Sequence, residues 1–328
     1  AFAEVRVVNL GGEALCRELQ RGLTEVVVPM SEAHAALQRQ LGERLRAPCT
    51  DIAAMLRPEL TPAWLEAIAE ACQWADVVVA CHPYGYPAIR RVWDGPVVYE
   101  SLNVEADLKA TIFPHDPEML EKVAQVEREC AQSAPLVLCC SNEDGERMQT
   151  LYGLERRPLL VANGVETASY TPLPATEREA VKARLGLEGR PLGLFVGSLH
   201  GPNIDALGAL MEVAAACPQV LFVVLGSVCE AQGLPAAPAN LLLVGRVSDA
   251  ELRLWLAAAD VGLNPMVSGS GTNLKMLEYA AAGLAVVSTP FGGRGGILQA
   301  GQHYVAAELA DFPQAIAELL AAENAGQR

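Results

Sequence analysis

The chain has 328 residues, 51% of them hydrophobic, and a formal net charge of −15, a length that suits two domains with a core each. An acidic balance with only 5% aromatic residues excludes nucleic acid as an expected partner and argues against adsorption on an anionic membrane, since both depend on basic patches. No apolar run approaches a membrane span and no signal-like segment follows Ala1, so the expected location is the cytoplasm.

Short Val/Leu-rich runs alternate with longer helical patterns from end to end. Residues 5–10, 24–29, 76–81, 96–100, 135–140 and 159–162 read as strands in the first half. Residues 191–196, 220–225, 240–244, 261–264 and 284–288 do so in the second. These runs are continuous rather than alternating, as in parallel strands covered on both faces. Gly11-Gly12 followed by a short helical pattern over 14–21 mimics a glycine-rich turn into a helix. Thr61-Pro62 and Asp116-Pro117 are helix starts, each an N-cap followed by proline. Pro172, Pro174 and their polar neighbours break the periodicity, dividing the chain into expected domains 1–172 and 173–328. A helix over 177–185 then leads to the strand at 191, and Ser248 with Glu251 forms a capping box. The predicted class is α/β, with two parallel sheets.

Nine cysteines are scattered without a C-x-x-C pair. They read as reduced thiols, not as a disulfide framework or zinc site, and no other metal-ligand cluster is evident. The sequence carries no signal for an oligomeric state.

The richest stretch runs from Ser268 to Gly283. Ser268, Gly269, Ser270, Gly271, Thr272 and Asn273 form a Gly/Ser loop that opens into an apolar-periodic helix carrying Lys275 and Glu278, and a buried strand follows. Free N–H groups and the positive dipole end of such a helix favour a phosphate. Glycines let the backbone approach it. Lys275 and Glu278 lie three apart on one helical face, a cation suited to a diphosphate and a carboxylate suited to ribose hydroxyls.

Several stretches together resemble the retaining family 4 glycosyltransferases of the GT-B fold. These are Asn240 to Ser248, Ala257 to Pro265, Phe195 to Leu199, Ser141 to Asp144, and Val161 to Glu166. The resemblance covers nearly the whole chain, most strongly residues 190–295. It implies two Rossmann-like domains facing a cleft, with a nucleotide-sugar donor of UDP or GDP type held mainly by the C-terminal one. It implies no cofactor and no required metal. Glu278 then matches the ribose-binding glutamate, and Lys275 faces the diphosphate as a catalytic group. Gly197 and Ser198 line the donor, and Gly245, Arg246 and Val247 frame the base. His82, after the strand at 76–81, matches a catalytic histidine near the transferred sugar. Asn103 and Glu105 fall where the family has a polar loop on the acceptor side.

Two departures stand out. Ser270 occupies the place of the first glutamate of the family's paired-glutamate motif, and the Arg and Lys common after the first donor-domain strand are replaced in Ser198 to Asn203. The chain also starts near the family's second strand, which leads us to expect that the first βα unit is missing. The expected activity is retaining sugar transfer from a nucleotide-diphosphate sugar to an unknown sugar, lipid-linked or small-molecule acceptor. Alternatives are a non-catalytic nucleotide-sugar-binding or scaffold protein and an epimerase that works without NAD. A dehydrogenase is the least expected alternative, since no G-x-G-x-x-G opens the first strand–helix turn.

Overall fold

The computed structural model describes residues 3–269 and 271–324, in two compact units, Ala1–Val161 and Ala162–Arg328. Segment 162–172, which composition places with the first half, belongs to the second unit. Its packing explains why: Tyr170 lies against the core of that unit, Asn163 Nδ2 donates to Thr272 Oγ1 at 2.6 Å, and Pro172 lies beside Gly283.

The first unit holds two sheets. β1 (Val5–Gly11), β2 (Leu15–Gln20) and β3 (Leu23–Pro29) form a three-stranded one in the order β1-β3-β2. β4 (Val78–Cys81), β5 (Val97–Ser101), β6 (Val137–Cys139) and β7 (Leu159–Leu160) form a four-stranded parallel one in chain order. The helix expected over 14–21 is instead β2, antiparallel to β3. Every residue of β2 is exposed, so a helix there would have had no face to bury. Gly22, at φ +80°, makes the tight turn of a hairpin, and Arg17 bonds Glu25 directly across it at 2.8 Å.

The second unit is a six-stranded, all-parallel sheet of β8 (Leu192–Val196), β9 (Leu221–Leu225), β10 (Leu241–Gly245), β11 (Val261–Asn264), β12 (Ala285–Ser288) and β13 (Val305–Ala306). The order is β10-β9-β8-β11-β12-β13, a doubly wound arrangement that reverses direction between β8 and β11. β9 is buried along its whole length, which accounts for its unbroken apolar run.

Several stretches that carry the family resemblance turn out to hold the scaffold. Ser141 caps the helix Asn142–Tyr152 by accepting from Asp144 N at 3.0 Å. Asn240 donates to the carbonyls of Ala214, Cys217 and Val220 at the end of the helix Gly201–Ala216. Buried Asp260 accepts from Lys182 Nζ and Leu192 N, each at 2.7 Å, and pairs with Arg178, fastening the helix Ala175–Arg184 to β8. The capping box is present: Ser248 N donates to Glu251 Oε2 at 2.8 Å while Ser248 Oγ accepts from Glu251 N. All nine cysteines are free thiols, most of them buried. Among the described residues no helix is long and apolar enough to cross a membrane.

Candidate functional site

The switch between β8 and β11 positions the second unit's candidate site. β8 runs into the helix Gly201–Ala216, and β11 runs through the Gly/Ser loop into the helix Leu274–Ala281. Open α/β sheets bind ligands beyond strand C-termini at such a point. In the loop, Gly269 and Gly271 have φ of +119° and +66°, angles that side chains rarely adopt. A Cβ on Gly269 would also stand 3.3 Å from Pro202, a tight contact that adds to the backbone's preference for glycine here. Asn273 anchors the loop's end by donating to Gly292 O at 2.7 Å. Its side chain makes no capping bond to the helix it precedes. Met276 N–H donates to Asn273 O at 3.1 Å, and among the described residues the N–H groups of Leu274 and Lys275 have no intrahelical partner. Ser270 lies outside the described residues.

Lys275 is half-buried. Its amine donates to Asn203 Oδ1 at 3.0 Å, lies 3.6 Å from Met266 Sδ and stands 4.4 Å from the centre of the Phe195 ring. Among the described residues no carboxylate comes within ion-pair distance of it. Burial therefore lowers its pKa to about 7, with Glu278 pulling weakly the other way. Glu278, one turn on, accepts from the Tyr170 hydroxyl at 3.3 Å. Burial raises its pKa and nearby Asp249 adds to the rise, against the Tyr170 bond and Lys275. Glu166, Ser169, Asp249, Leu252 and Arg253 line a recess with Tyr170 and Glu278.

The remaining predicted donor residues divide. Gly197 is buried, and its carbonyl accepts from Val228 N at 3.1 Å. Ser198 is exposed and holds Asn203 through both its carbonyl and its hydroxyl, so it acts on Lys275 through that asparagine. Thr272 accepts from Asn163, and Ser268 donates to Asp205 at 3.1 Å. Arg246 lies on the surface, paired with Glu230 at 2.7 Å. The Val247 side chain packs into the core, leaving its backbone for any ligand contact.

The first unit carries a second polar centre. His82 follows β4 with φ +61°, a left-handed backbone that costs a non-glycine residue about 1–3 kcal/mol. Its N–H donates to Glu100 O at 3.0 Å. Its Nδ1 lies 2.7 Å from Glu105 Oε1, and the Tyr84 hydroxyl donates to Glu105 Oε2 at 2.6 Å. Burial alone would raise the pKa of Glu105, whose side chain is 2% exposed, but the bonds from His82 and Tyr84 hold it below the usual range. Glu105 opens the helix Glu105–Ile112, and its own N–H, with that of Ala106, donates to Glu127 at 3.0 and 2.9 Å. The Tyr99 and Tyr152 hydroxyls complete the buried shell of Glu127. Asn103 accepts from Ser101 Oγ at 2.6 Å through its carbonyl.

Sequence reading missed Asn203, Tyr170, Tyr84 and Glu127. Glu127 left a signal: it lies on the stripe Met119, Val123, Glu127, Cys130 of the helix Pro117–Ser133, where an acid has no place unless it is bonded. Among the described residues no cluster of three or more metal-ligating side chains occurs.

Residues 190–322 match the family of glycosyl transferases group 1. Among curated proteins, a D-inositol 3-phosphate glycosyltransferase from Jonesia denitrificans is 28% identical over 224 residues, 61% of this chain and 51% of the relative. Spore coat protein SA from Bacillus subtilis is 32% identical over 116 residues, 33% of this chain and 30% of the relative. The chain thus spans about half the length of the first relative and less of the second. Among solved structures, a sucrose-phosphate synthase from Thermosynechococcus elongatus superposes with a TM-score of 0.70 at 16% identity, covering 99% of this chain and 81% of the other. Anabaena HepE in complex with UDP-glucose superposes with a TM-score of 0.65 at 14% identity, covering 99% and 91%. The fold is that of the GT-B glycosyltransferases, and the second unit carries the group 1 glycosyltransferase match.

Proposed function

We propose that this chain transfers a sugar, with retention at the anomeric carbon, from a nucleotide-diphosphate donor to a hydroxyl of a sugar, lipid-linked or small-molecule acceptor. One observation carries the reading. The amine of Lys275 is held in a poorly solvated place with, among the described residues, no counter-anion, one residue into a helix whose first two N–H groups, those of Leu274 and Lys275, have no intrahelical partner. An arriving diphosphate supplies the missing negative charge to both. Glu278, on the same helical face, then takes the ribose hydroxyls after releasing Tyr170.

In the proposed reaction the bond from the anomeric carbon to the diphosphate oxygen breaks. The acceptor oxygen bonds that carbon from the same face, and its proton passes to the leaving phosphate. Lys275 and the helix N-terminus stabilise the charge that grows on the diphosphate, which is where preorganised charge accelerates a reaction most. The family match over 190–322 and the UDP carried by the Anabaena neighbour make UDP the first ligand to test and GDP the second.

Calorimetry of UDP and GDP against the chain and its Lys275→Ala variant tests the site. We expect micromolar to millimolar binding of one diphosphate, weakened about 10- to 100-fold in the variant, the size of a lost charge-assisted contact. Equal affinity in the two proteins removes Lys275 from the site.

A further inference from the structure

We infer that Glu105 is a positioning residue that fixes which nitrogen of His82 carries the hydrogen, so that Nε2 faces a ligand hydroxyl as a hydrogen-bond acceptor. This rests on the reading of the first unit as the acceptor side of a sugar transferase, and it adds to that reading a defined state for the histidine.

Glu105 is ionised, and an ionised carboxylate has no hydrogen to give. At 2.7 Å from it, Nδ1 of His82 must therefore be the donor, which leaves the lone pair of the neutral ring on Nε2. The other carboxylate oxygen is taken by Tyr84 at 2.6 Å, so the carboxylate is held at both ends and cannot rotate away. Lys109 closes the side of this group: its amine stands 5.0 Å from the centre of the Tyr84 ring and 2.5 Å from Asp51. Behind Glu105, the buried Glu127 accepts from the first two N–H groups of the Glu105 helix, which sets the helix end that carries the carboxylate.

The ring itself is not enclosed. The His82 side chain is 32% exposed against 2% for Glu105, so one member of the pair is reachable and the other is not. The backbone at 82 is held left-handed by the bond from its N–H to Glu100 O. A purely structural histidine needs neither an unusual backbone nor a fully satisfied buried carboxylate beneath an open ring. This combination is the one expected where a ring must keep a single tautomer and orientation. A ligand that suits Nε2 donates a hydrogen bond, as a sugar or polyol hydroxyl does.

The test is 15N-detected NMR of histidine-labelled protein near pH 8, with the His82 signals assigned by their loss in His82→Asn, a residue that tolerates the left-handed backbone. The wild type is expected to show the Nδ1–H tautomer. In Glu105→Gln, whose amide can present N–H to the ring, that tautomer is expected to be lost, whereas Tyr84→Phe keeps it. A wild-type ring protonated on Nε2, or a Glu105→Gln ring unchanged from wild type, overturns the inference. The wild-type spectrum decides the matter even where a variant does not fold. Turnover of a UDP- or GDP-sugar in Glu105→Gln is expected to fall about 10- to 100-fold with diphosphate affinity unchanged. A chain with the expected tautomer but no diphosphate binding retains this inference and overturns the donor-site reading instead.

Discussion

Two carboxylates, Glu105 in the first unit and Glu278 in the second, meet opposite treatment. Glu105 is almost fully buried, yet its pKa falls because two donors are aimed at it. Glu278 is only half-buried, yet burial raises its pKa with Asp249 adding to the rise, and among the described residues the one side-chain bond that opposes it is the 3.3 Å contact from Tyr170. The lysines follow the same division, since Lys109 is paired with Asp51 whereas Lys275 has an amide, a thioether and a ring. The first centre is saturated by its own chain. Among the described residues the second is left short of partners of the right charge, which is what the proposed anion site requires. Burial alone thus says little about which polar groups await a ligand; the count of satisfied bonds says more.

The largest effect should come from breaking the saturated centre. Glu127→Leu removes the acceptor of two buried hydroxyls and two helix N–H groups, and should cost about 3–5 kcal/mol. Urea unfolding followed by a probe in the first unit measures this. A loss below about 1 kcal/mol would show that those donors find other partners, against the usual cost of a buried unsatisfied group.

Lys275→Met should do the reverse in the second unit. The folded pKa of Lys275 is about 7, against about 10.4 when unfolded. Between those values the unfolded chain holds a proton that the folded one does not, so wild-type stability rises with pH across that window. Below pH 7 both states are charged and the penalty of the buried amine is complete. The variant lacks that penalty. It should be more stable than wild type by about 1–3 kcal/mol at pH 6, with the gap closing towards pH 10. Thermal melts from pH 6 to 10 follow it, and a gap that does not depend on pH would mean the amine is solvated.

The smallest effect should be at Arg246. Its bond to Glu230 is exposed on both sides, and such pairs contribute little. Arg246→Ala should leave the unfolding midpoint unchanged within error, and a clear drop would reveal an ordering role that the comparison does not contain.

Much of this was legible in the sequence. The strands β8, β9, β11 and β12 of the second unit are largely buried on both faces, so hydrophobic runs such as 220–225 declare themselves. The Gly/Ser loop and Lys275 announced a helix N-terminus for the same local reasons that the structure shows. The strand β2 was not legible, because six exposed residues carry neither a helical nor a strand stripe, and only Gly22 and the pairing of Arg17 with Glu25 decide it. Tyr170 and Asn203 were hidden for another reason. They reach Glu278 and Lys275 from 108 and 72 residues away along the chain, a separation that no local pattern encodes.

The left-handed backbone of His82 restricts which residues can replace it. Among the described residues only Arg46 shares that conformation without being glycine, and of the twenty residue types glycine, asparagine and aspartate tolerate it best. A lineage that kept the loop while giving up the imidazole would be pushed by backbone strain towards those few residues rather than drifting freely. Glycine or asparagine at this position in a relative would therefore mark the loss of the proposed imidazole contact on an intact fold, readable without an assay.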